Sequence, residues 1–527
     1  MRSKWGWCVL AVLASTAQAT AQEAVAKSKI VSVGLFKNGL AVVKREVLID
    51  KAGVYRLDAS PEPVHGSFWT ESSAKVEAAV KMRDVEMPLH AEGGMRLQQD
   101  LAGKTVTLTF RNDKLGQVTG TLVKLAKPTP PEGMTAPERP AYESFLVLKT
   151  AKGRLYVNPA DVMMVQTEDA EEKIVQRKPV LVLTVEKAAK KPTIYVSYLT
   201  NGLAWAPSYH VDISNPKTLA IEMAAVIRNE MADLEDAEIK LISGFPSVEF
   251  ANVTSPLSAH TNWTKFFQEI ASRGSSGQDA MLSQVSLSNN ITFNRADFIV
   301  RPRIDLGATP AGEGVDLHFE SIGKRSLLRD EALSLTIGKA KADYERVIEW
   351  TVGTSTVSRK YAGGREQHKS EMWDVLLFKN PFQFPMTTAP ALVVEGGRFN
   401  GQRTAYWTNV GEEAALKITR SLSVRALSLE QEDSKPNERV VVDDKNYTKV
   451  HLKGELVMSN HRKQAIKLHV RHSIRGAIHE IDGTPKRTTR EDSLEDVNRV
   501  QDVVWAVTLN PGEEKKLTYK NSVLVYR

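Results

Sequence analysis

The sequence predicts a mainly β, multidomain protein: β-sandwich modules, with a small SH3-like or Sm-like barrel inserted near the N-terminus and a short helical insertion. Three observations carry this prediction. Strand-like segments with alternating apolar and polar residues recur along most of the chain. Asn-Gly pairs at 38–39 and 201–202 separate β-rich segments. Such pairs predict β-hairpins, in which the two flanking strands pair, because both turn residues must tolerate positive φ. A helical period occurs at residues 261–273.

The composition is globular and excludes several protein classes. A length of 527 residues favours three to four domains at roughly 150 residues each. The chain is 42% hydrophobic and 25% charged, with a mean hydropathy of −0.28, which excludes a mostly disordered or collagen-like chain. One cysteine excludes a disulfide framework and a four-cysteine zinc site. The net charge of +7 is modest for this length and argues against a nucleic-acid binder.

Residues 1–21 are predicted to be a secretory signal peptide. Arg2 and Lys4 give a positive start, Trp5–Ala14 is uncharged and apolar, and small residues then offer two A-x-A cleavage sites. The apolar segment is too short to span a bilayer. The alternative is an N-terminal anchor that stays attached. We therefore expect a periplasmic, cell-surface or secreted protein without a transmembrane span. Cleavage would remove Cys8, leaving a cysteine-free mature chain with a net charge of +5.

The N-terminal half divides into a β domain (22–100) and a small five-stranded barrel (101–170). The predicted barrel strands are 104–110, 115–125, 143–149, 154–158 and 161–166. In the first strand, Val106, Leu108 and Phe110 alternate with threonines, as a half-buried strand requires. A proline-rich loop separates the second and third strands. Sm-like barrels elsewhere bind RNA, but an exported chain favours a structural role.

The remaining chain is predicted as part of a β-sandwich (171–256), a helix with a Ser/Gly-rich insertion (257–300) and a C-terminal β-sandwich region (301–527). The helix has aromatic and aliphatic residues at i, i+3, i+4 and i+7, and Thr261 or Asn262 is a suitable N-cap. This apolar stripe is expected to pack on its own domain. The alternative is docking to a membrane or a partner protein.

The sequence contains no recognised catalytic, cofactor-binding or metal-binding motif. It lacks a G-x-S-x-G elbow, H-E-x-x-H, a Walker loop and a Rossmann glycine pattern. Four acidic residues at 230–236 do not follow the ligand spacing of a calcium loop. Two carboxylate pairs beside tryptophans are conceivable hydrolytic pairs: Glu345 with Glu349, and Glu371 with Asp374. A chain with 63 acidic residues produces such coincidences readily.

A basic segment at 435–490 is the most unusual region. It holds five of the eleven histidines and 13 Lys and Arg against 6 Asp and Glu. Within it, residues 464–475 alternate between apolar and basic, which predicts a strand with one buried face. The residues predicted on the other, cationic face are Lys463, Lys467, His469, Arg471 and Arg475.

Two interpretations of this cationic face stay open. It could bind a polyanion, such as an anionic envelope polymer or lipid. The favoured interpretation is that it pairs with the acidic stretch downstream, namely Glu491, Asp492, Glu495, Asp496 and Asp502. His469 and His472 would lie on opposite faces of the strand, which argues against a two-histidine metal site.

Several segments, in the same order along the chain, resemble a family of bacterial β-rich proteins described as a domain of unknown function and related to the mucoidy inhibitor A-like proteins. These segments are Leu35–Leu40, Asn201–Tyr209, Leu241–Pro246, Pro390–Glu395 with Gly397–Gly401, and Val450–Asn460 followed by the basic strand. The chain lacks the long charged coiled coil of the mucoidy inhibitor type. The resemblance implies an envelope-associated β protein linked to surface polysaccharide, and it supplies no catalytic residues.

The sequence thus favours a non-enzymatic scaffold or binding protein of the cell envelope, without a cofactor or a metal. Its expected partner is an anionic envelope polymer or another envelope protein. The competing hypothesis is an envelope polysaccharide hydrolase that uses paired carboxylates.

Overall fold

The computed structural model is mainly β and contains several sheets, consistent with a β-sandwich class, as the sequence predicts. It describes residues 23–57, 60–88, 97–112, 114, 116–125, 145–168, 173–186, 193–244, 248, 250–258, 261–271, 317–353, 371–490 and 497–526. The predicted signal peptide, the proline-rich loop and the Ser/Gly-rich stretch from residue 272 lie outside these ranges. Within the described ranges, no helix has the length and apolarity needed to cross a membrane.

The chain forms two compact units. Unit 1 comprises Met1–Ser32, Val42–Thr200 and Val248–Gly277, and unit 2 comprises Val33–Ala41, Asn201–Ser247 and Gln278–Arg527. The domain boundaries predicted from the sequence stay predictions.

The elements of the N-terminal part are β1 (Ala24–Val25), β2 (Lys27–Leu35), β3 (Leu40–Leu48), β4 (Gly53–Leu57), β5 (Trp69–Glu71), β6 (Lys75–Pro88), α1 (Leu97–Asp100), β7 (Thr105–Phe110), β8 (Gln117–Leu122), β9 (Leu146–Thr150), β10 (Gly153–Val157), β11 (Val162–Thr167), β12 (Lys173–Glu186) and β13 (Thr193–Asn201). The remaining elements are β14 (Leu203–Asp212), β15 (Thr218–Asn229), β16 (Leu234–Ser243), α2 (Trp263–Ala271), β17 (His318–Leu327), β18 (Ala332–Thr351), β19 (Glu371–Lys379), β20 (Ala389–Glu395), β21 (Arg398–Ala405), β22 (Glu413–Arg420), β23 (Val424–Glu432), β24 (Glu438–Val442), β25 (Lys445–Asn460), β26 (Ile466–Arg475), β27 (Ala477–Ile481), β28 (Lys486–Arg490), β29 (Val500–Leu509) and β30 (Glu514–Tyr526).

Unit 1 contains the five strands predicted between residues 101 and 170. They form one antiparallel sheet in the order β10-β9-β8-β7-β11. Val106, Leu108 and Leu148 are fully buried in its core, so the alternation in β7 identified the inward face correctly. Its classification as an SH3-like or Sm-like barrel stays a prediction. In the same unit, the long strand β12 pairs with β4 and β6, and β1 runs parallel to β4.

Helix α2 in unit 1 has a split aromatic face. Asn262 caps it, because its Oδ1 accepts a hydrogen bond from the Lys265 backbone N–H at 2.8 Å. The Phe266 ring is 6% exposed, and its centroid lies 4.8 Å from that of His65. Trp263 and Phe267 stack on each other and are exposed. The predicted packing on its own domain therefore holds for Phe266 and fails for the other two rings, which lie on the solvent side.

Unit 2 contains a four-strand arrangement three times within its described residues. In each copy the first and fourth strands pair antiparallel, and so do the second and third. Module 1 is β15, β16, β17 and β18, module 2 is β19, β20, β21 and β22, and module 3 is β25, β26, β29 and β30. In module 3 the two pairs belong to different sheets that pack face to face over a shared core. Module 3 is therefore a β-sandwich.

A buried asparagine closes each module at the same place. Asn229, Asn380 and Asn460 end or directly follow the first strand, and their exposed fractions are 0%, 4% and 0%. Each Nδ2 donates to three backbone carbonyl oxygens at 2.8–3.2 Å. Each Oδ1 accepts from the N–H two residues later, at 2.9–3.1 Å. One amide thus satisfies backbone groups of both chain connections that cross between the strand pairs.

The turn beside each asparagine is also repeated. Asp330, Gly411 and Gly512 adopt positive φ, and a glutamate follows each of them. That glutamate accepts a hydrogen bond from the N–H three residues earlier, at 2.7–2.8 Å. Its backbone carbonyl accepts the N–H of the module's asparagine. Six corresponding hydrogen bonds in three places identify an internal structural repeat.

The strand β18 pairs with one strand from each of the three modules of unit 2. Its first half pairs with β15, and Tyr344–Thr351 pairs with β19 on one side. On the other side, Ile348–Thr351 runs parallel to β26 of module 3. Its 20 residues therefore connect all three modules through backbone hydrogen bonds.

One predicted hairpin is wrong. The turn at Asn38-Gly39 is present, with Gly39 at φ 88° and a hydrogen bond from Phe36 N to Leu40 O. Gly202 also has positive φ, but the strand that follows it does not fold back on β13. Instead, β14 pairs with β15 and β20. A turn-forming dipeptide determines where the chain bends, whereas the competition among all strands determines the partner.

The asparagine closure leads to a stability prediction. Replacing Asn460 with alanine leaves three carbonyls and the Arg462 N–H without their buried partner. We expect Asn460→Ala to lower the free energy of unfolding by about 3 kcal/mol, measured by urea denaturation. Asn446→Ala, an exposed asparagine on the same strand, is the control and should change it by less than about 0.5 kcal/mol. Equal effects of the two substitutions would contradict the role of Asn460.

Candidate functional site

The predicted basic strand is β26, and it lies inside a sheet between β18 and β29. Its residues alternate as predicted: Leu468 and Val470 are fully buried, whereas Lys467 is exposed and His469 half-buried. We call the outward side of β26 and its neighbours the basic face. Lys463 precedes the strand, in the exposed connection between Asn460 and Ile466.

Two of the five predicted basic residues are ion-paired with the adjacent strand β18. Lys467 binds Glu345, and the Arg471 Nε lies 2.7 Å from Glu349 Oε2. Glu349 is 9% exposed, so removing Arg471 would leave a buried carboxylate without this partner. The side chains of Lys463, His469 and Arg475 form no hydrogen bond or ion pair with the described residues.

The described acidic partners of Lys467 and Arg471 come from β18, while pairing of the basic face with the downstream acidic stretch stays a prediction. Four of its members, Glu491, Asp492, Glu495 and Asp496, lie outside the described residues. The fifth, Asp502, faces β26 and accepts a hydrogen bond from Ser473 at 2.6 Å. The observed partners come from β18, more than 100 residues earlier in the chain.

The two carboxylate pairs considered for hydrolysis have structural partners. Glu345 and Glu349 are four residues apart on one strand, a separation of about 13 Å, which exceeds what either glycosidase mechanism uses. Glu371 and Asp374 lie on opposite faces of β19, because their separation is odd. Each of the four carboxylates binds at least one arginine or lysine.

Asp374 is a structural anchor. It is 1% exposed and forms two hydrogen bonds with Arg346, at 3.0 and 3.1 Å. Arg462, from the connection between β25 and β26, adds a third contact at 3.3 Å and also donates to Ser421 at 3.1 Å. Asp374 of module 2 thus binds Arg346 of module 1 and Arg462 of module 3 at the same time.

A cluster of cations surrounds Trp373 on the basic face. The Arg403 guanidinium carbon lies 4.5 Å from the centroid of the indole ring, that of Arg420 lies at 5.4 Å, and the Lys417 Nζ lies at 5.6 Å. The ring itself is 7% exposed. Glu371 accepts the indole N–H and also binds Arg420, each at 3.0 Å. The Trp373 cluster, as we call these five residues, thus contains three cations and one carboxylate.

A series of three hydrogen-bonded polar side chains crosses the core of module 3. His472 Nε2 lies 2.9 Å from the Tyr519 hydroxyl, which donates to Glu430 at 2.8 Å. Because a hydroxyl has a single proton, which Tyr519 donates to Glu430, the His472 Nε2–H is the donor to Tyr519. Burial away from water lowers the pKa of His472 to about 4, although the nearby Glu430 opposes this. Burial also raises the pKa of Tyr519, and Glu430 adds to that effect.

Gly454 leaves space for the Tyr519 ring in this series of hydrogen-bonded side chains. Tyr519 pairs with Gly454 across β25 and β30, and its ring lies directly over the glycine. A Cβ at position 454 would overlap the ring. Glu430 on β23 pairs with the other side of Gly454, so the Tyr519 ring crosses β25 to reach it. Glycine is needed at position 454 because it has no side chain. Its backbone conformation does not require glycine, since its φ is not positive.

Other titratable groups have local roles. Lys37 is 6% exposed, and its Nζ donates to the Thr387 hydroxyl at 2.8 Å and to the Thr388 carbonyl at 3.1 Å. Burial lowers the pKa of Lys37 to about 8.

The imidazoles of His451 and His479 lie 6.0 Å apart, and His479 forms a hydrogen bond with Ser522. Among the described residues, no three His, Cys, Asp or Glu side chains are grouped so that they could hold a metal ion.

In comparisons with known proteins, no protein-family model matches the chain, and no curated protein matches it. The family resemblance described above therefore stays a prediction.

Sequence reasoning missed the composition of the Trp373 cluster. It singled out Trp373 with its acidic neighbours but not the three cations, which come from β21 and β22. The sequence signal for these cations was weak, because Lys417 and Arg420 are three residues apart and Arg403 lies 14 residues before Lys417. The asparagine repeat had a better signal, since Asn380 and Asn460 are each followed at a distance by a Gly-Glu pair.

The Gly454 arrangement predicts a coupled pair of mutations. We expect Gly454→Ala to lower the free energy of unfolding by about 3 kcal/mol, because the new methyl group displaces the Tyr519 ring. In a Tyr519→Ala background, the same substitution should cost less than about 1 kcal/mol. Gly53→Ala, in a strand glycine whose Cβ would have ordinary contacts, is the control. Equal costs in both backgrounds, measured by urea denaturation, would contradict the overlap.

The buried histidine predicts a specific loss of acid stability. An unfolded histidine has a pKa of about 6.5, whereas folded His472 has a pKa of about 4. Between these values only the unfolded chain binds the proton. The stability that neutral His472 contributes is complete above pH 6.5 and is lost as the pH falls towards 4. The fall in unfolding free energy between pH 7 and pH 4.5 should be about 2 kcal/mol smaller in His472→Gln than in the wild type.

The control for this measurement is His461→Gln, which makes the same substitution at an exposed histidine. A wild-type pH profile in His472→Gln would show that His472 is not held neutral in the core.

Proposed function

We propose that this protein is an exported, non-enzymatic binding or scaffold protein of the bacterial cell envelope, and that it binds an anionic envelope polymer. The observation that carries the proposal is the basic face of unit 2. Three of its predicted basic residues, Lys463, His469 and Arg475, have no charged partner in the described part of the chain. The same face also carries the Trp373 cluster.

The charge balance of this face supports binding rather than catalysis. Glu345 and Glu349 neutralise Lys467 and Arg471, which holds β18 and β26 together at the side-chain level. Lys463, Arg475 and the cations of the Trp373 cluster carry the remaining positive charge and attract anionic groups from solution. Several cations on one face act together on a polymer, although each contributes little alone.

The alternative of a polysaccharide hydrolase has less support. A general acid or a nucleophile must be oriented towards substrate with an appropriate pKa. Asp374 is buried between arginines, and the other three candidate carboxylates bind cations. No specific observation on the described residues favours this alternative.

Export remains part of the proposal and rests on the N-terminal sequence. Residues 1–21 have the three-part pattern of a signal peptide. The family resemblance, which implies an envelope-associated protein linked to surface polysaccharide, agrees with this assignment.

The proposal predicts salt-sensitive binding to heparin as a model polyanion. Replacing Lys463, His469 and Arg475 together with glutamine should weaken binding about fivefold at low ionic strength, and less at high salt. The control replaces Arg439, Lys445 and Lys515, which are exposed and form no ion pair with the described residues. Binding is measured by isothermal titration calorimetry. A wild type that does not bind heparin, or a triple variant that binds as tightly as the control, would refute the assignment to this face.

A further inference from the structure

The Trp373 cluster has more positive charge than the described residues around it neutralise. Arg420 shares Glu371 with the indole N–H. Arg403 and Lys417 contact the ring and make no hydrogen bond or ion pair with the described residues. Like charges gathered around one ring repel each other, and the indole only partly compensates for this. An anion between Arg403 and Lys417 would remove that repulsion.

The backbone positions the cluster. Gly401 lies on β21, two residues before Arg403 and therefore on the same side of the strand. A Cβ at Gly401 would lie 2.5 Å from the Ile418 carbonyl oxygen, so β21 packs directly against the backbone of β22. This close approach places Arg403 over a ring that belongs to β19. Both arginines are exposed, whereas the ring is covered, so the cations face solvent and the indole supports them from below.

The cluster is continuous with the basic face. Arg420 pairs with Trp373 across β22 and β19, Trp373 pairs with Glu349, and Glu349 pairs with His469. Paired residues on neighbouring strands point to the same side of a sheet. The row from Arg420 to His469 therefore crosses four strands, a distance of about 14 Å.

We infer that Arg403, Lys417 and Arg420 form an anion subsite on Trp373 that binds a carboxylate or sulfate group of an acidic polysaccharide, which then extends across the sheet, over the covered Trp373 and Glu349, towards Arg475 at the end of β26. This inference rests on the proposed function and names a particular site for it. A linear polymer spans both groups of cations.

The experiment follows Trp373 directly. The protein is labelled with 5-fluorotryptophan, and Trp373→Phe identifies its fluorine NMR signal. A heparin oligosaccharide is titrated in, with neutral dextran as the control polymer. The Trp373 signal should shift with heparin and not with dextran.

Matched variants test the cations. Arg403→Gln with Lys417→Gln should abolish the shift and weaken heparin binding about tenfold. The charge-retaining pair Arg403→Lys with Lys417→Arg should keep most of the binding. Arg439→Gln with Lys445→Gln is the control for lost charge. A thermal unfolding midpoint for each variant separates loss of binding from loss of folding.

The other outcomes distinguish this inference from the proposed function. Heparin binding without a shift at Trp373 refutes the subsite and leaves the proposed function standing. A shift with tripolyphosphate but no heparin binding refutes both the polymer ligand and the proposed function, and indicates a site for small anions. Binding to phosphatidylglycerol vesicles instead of heparin refutes the polymer in favour of a membrane. No response to any probe refutes both proposals.

Discussion

Three buried asparagine amides are the interaction on which the architecture of unit 2 depends. A chain that passes from one strand pair to another leaves peptide groups without a strand partner, and burying them unpaired is costly. Each amide supplies hydrogen bonds to both crossing connections at once. Alanine, serine and aspartate lack this combination of one acceptor and two donors, which is why asparagine recurs at residues 229, 380 and 460.

The charges of the outer sheet face are organised by the same architecture. The parallel pairing of β18 with β26 brings Glu345 and Glu349 beside a strand rich in cations. Two acidic side chains thereby stabilise the junction, while cations further along the face keep their charge available. The paired charges thus contribute to stability, whereas the cations without a described partner contribute to the surface potential.

Local features were predictable from the sequence, and pairings between distant segments were not. The alternation of Ile466, Leu468 and Val470 identified the buried face of β26, because strand periodicity is a property of neighbouring residues. Likewise, the cap at Asn262 depends on one turn of helix. The partners of Lys467 and Arg471 depend on which strand lies alongside, which no local pattern states. The Trp373 cluster combines three strands, and the failed hairpin at Asn201-Gly202 has the same cause.

The continuous strand β18 has a consequence for how the chain is made. Residues 348–351 pair with β26, which begins at residue 466. During synthesis, this edge emerges long before its native neighbour and exposes backbone donors and acceptors that other chains can pair with. The last third of the chain must therefore be present before the sheet is closed. Premature release of the chain after β18 would favour aggregation over a partly folded intermediate.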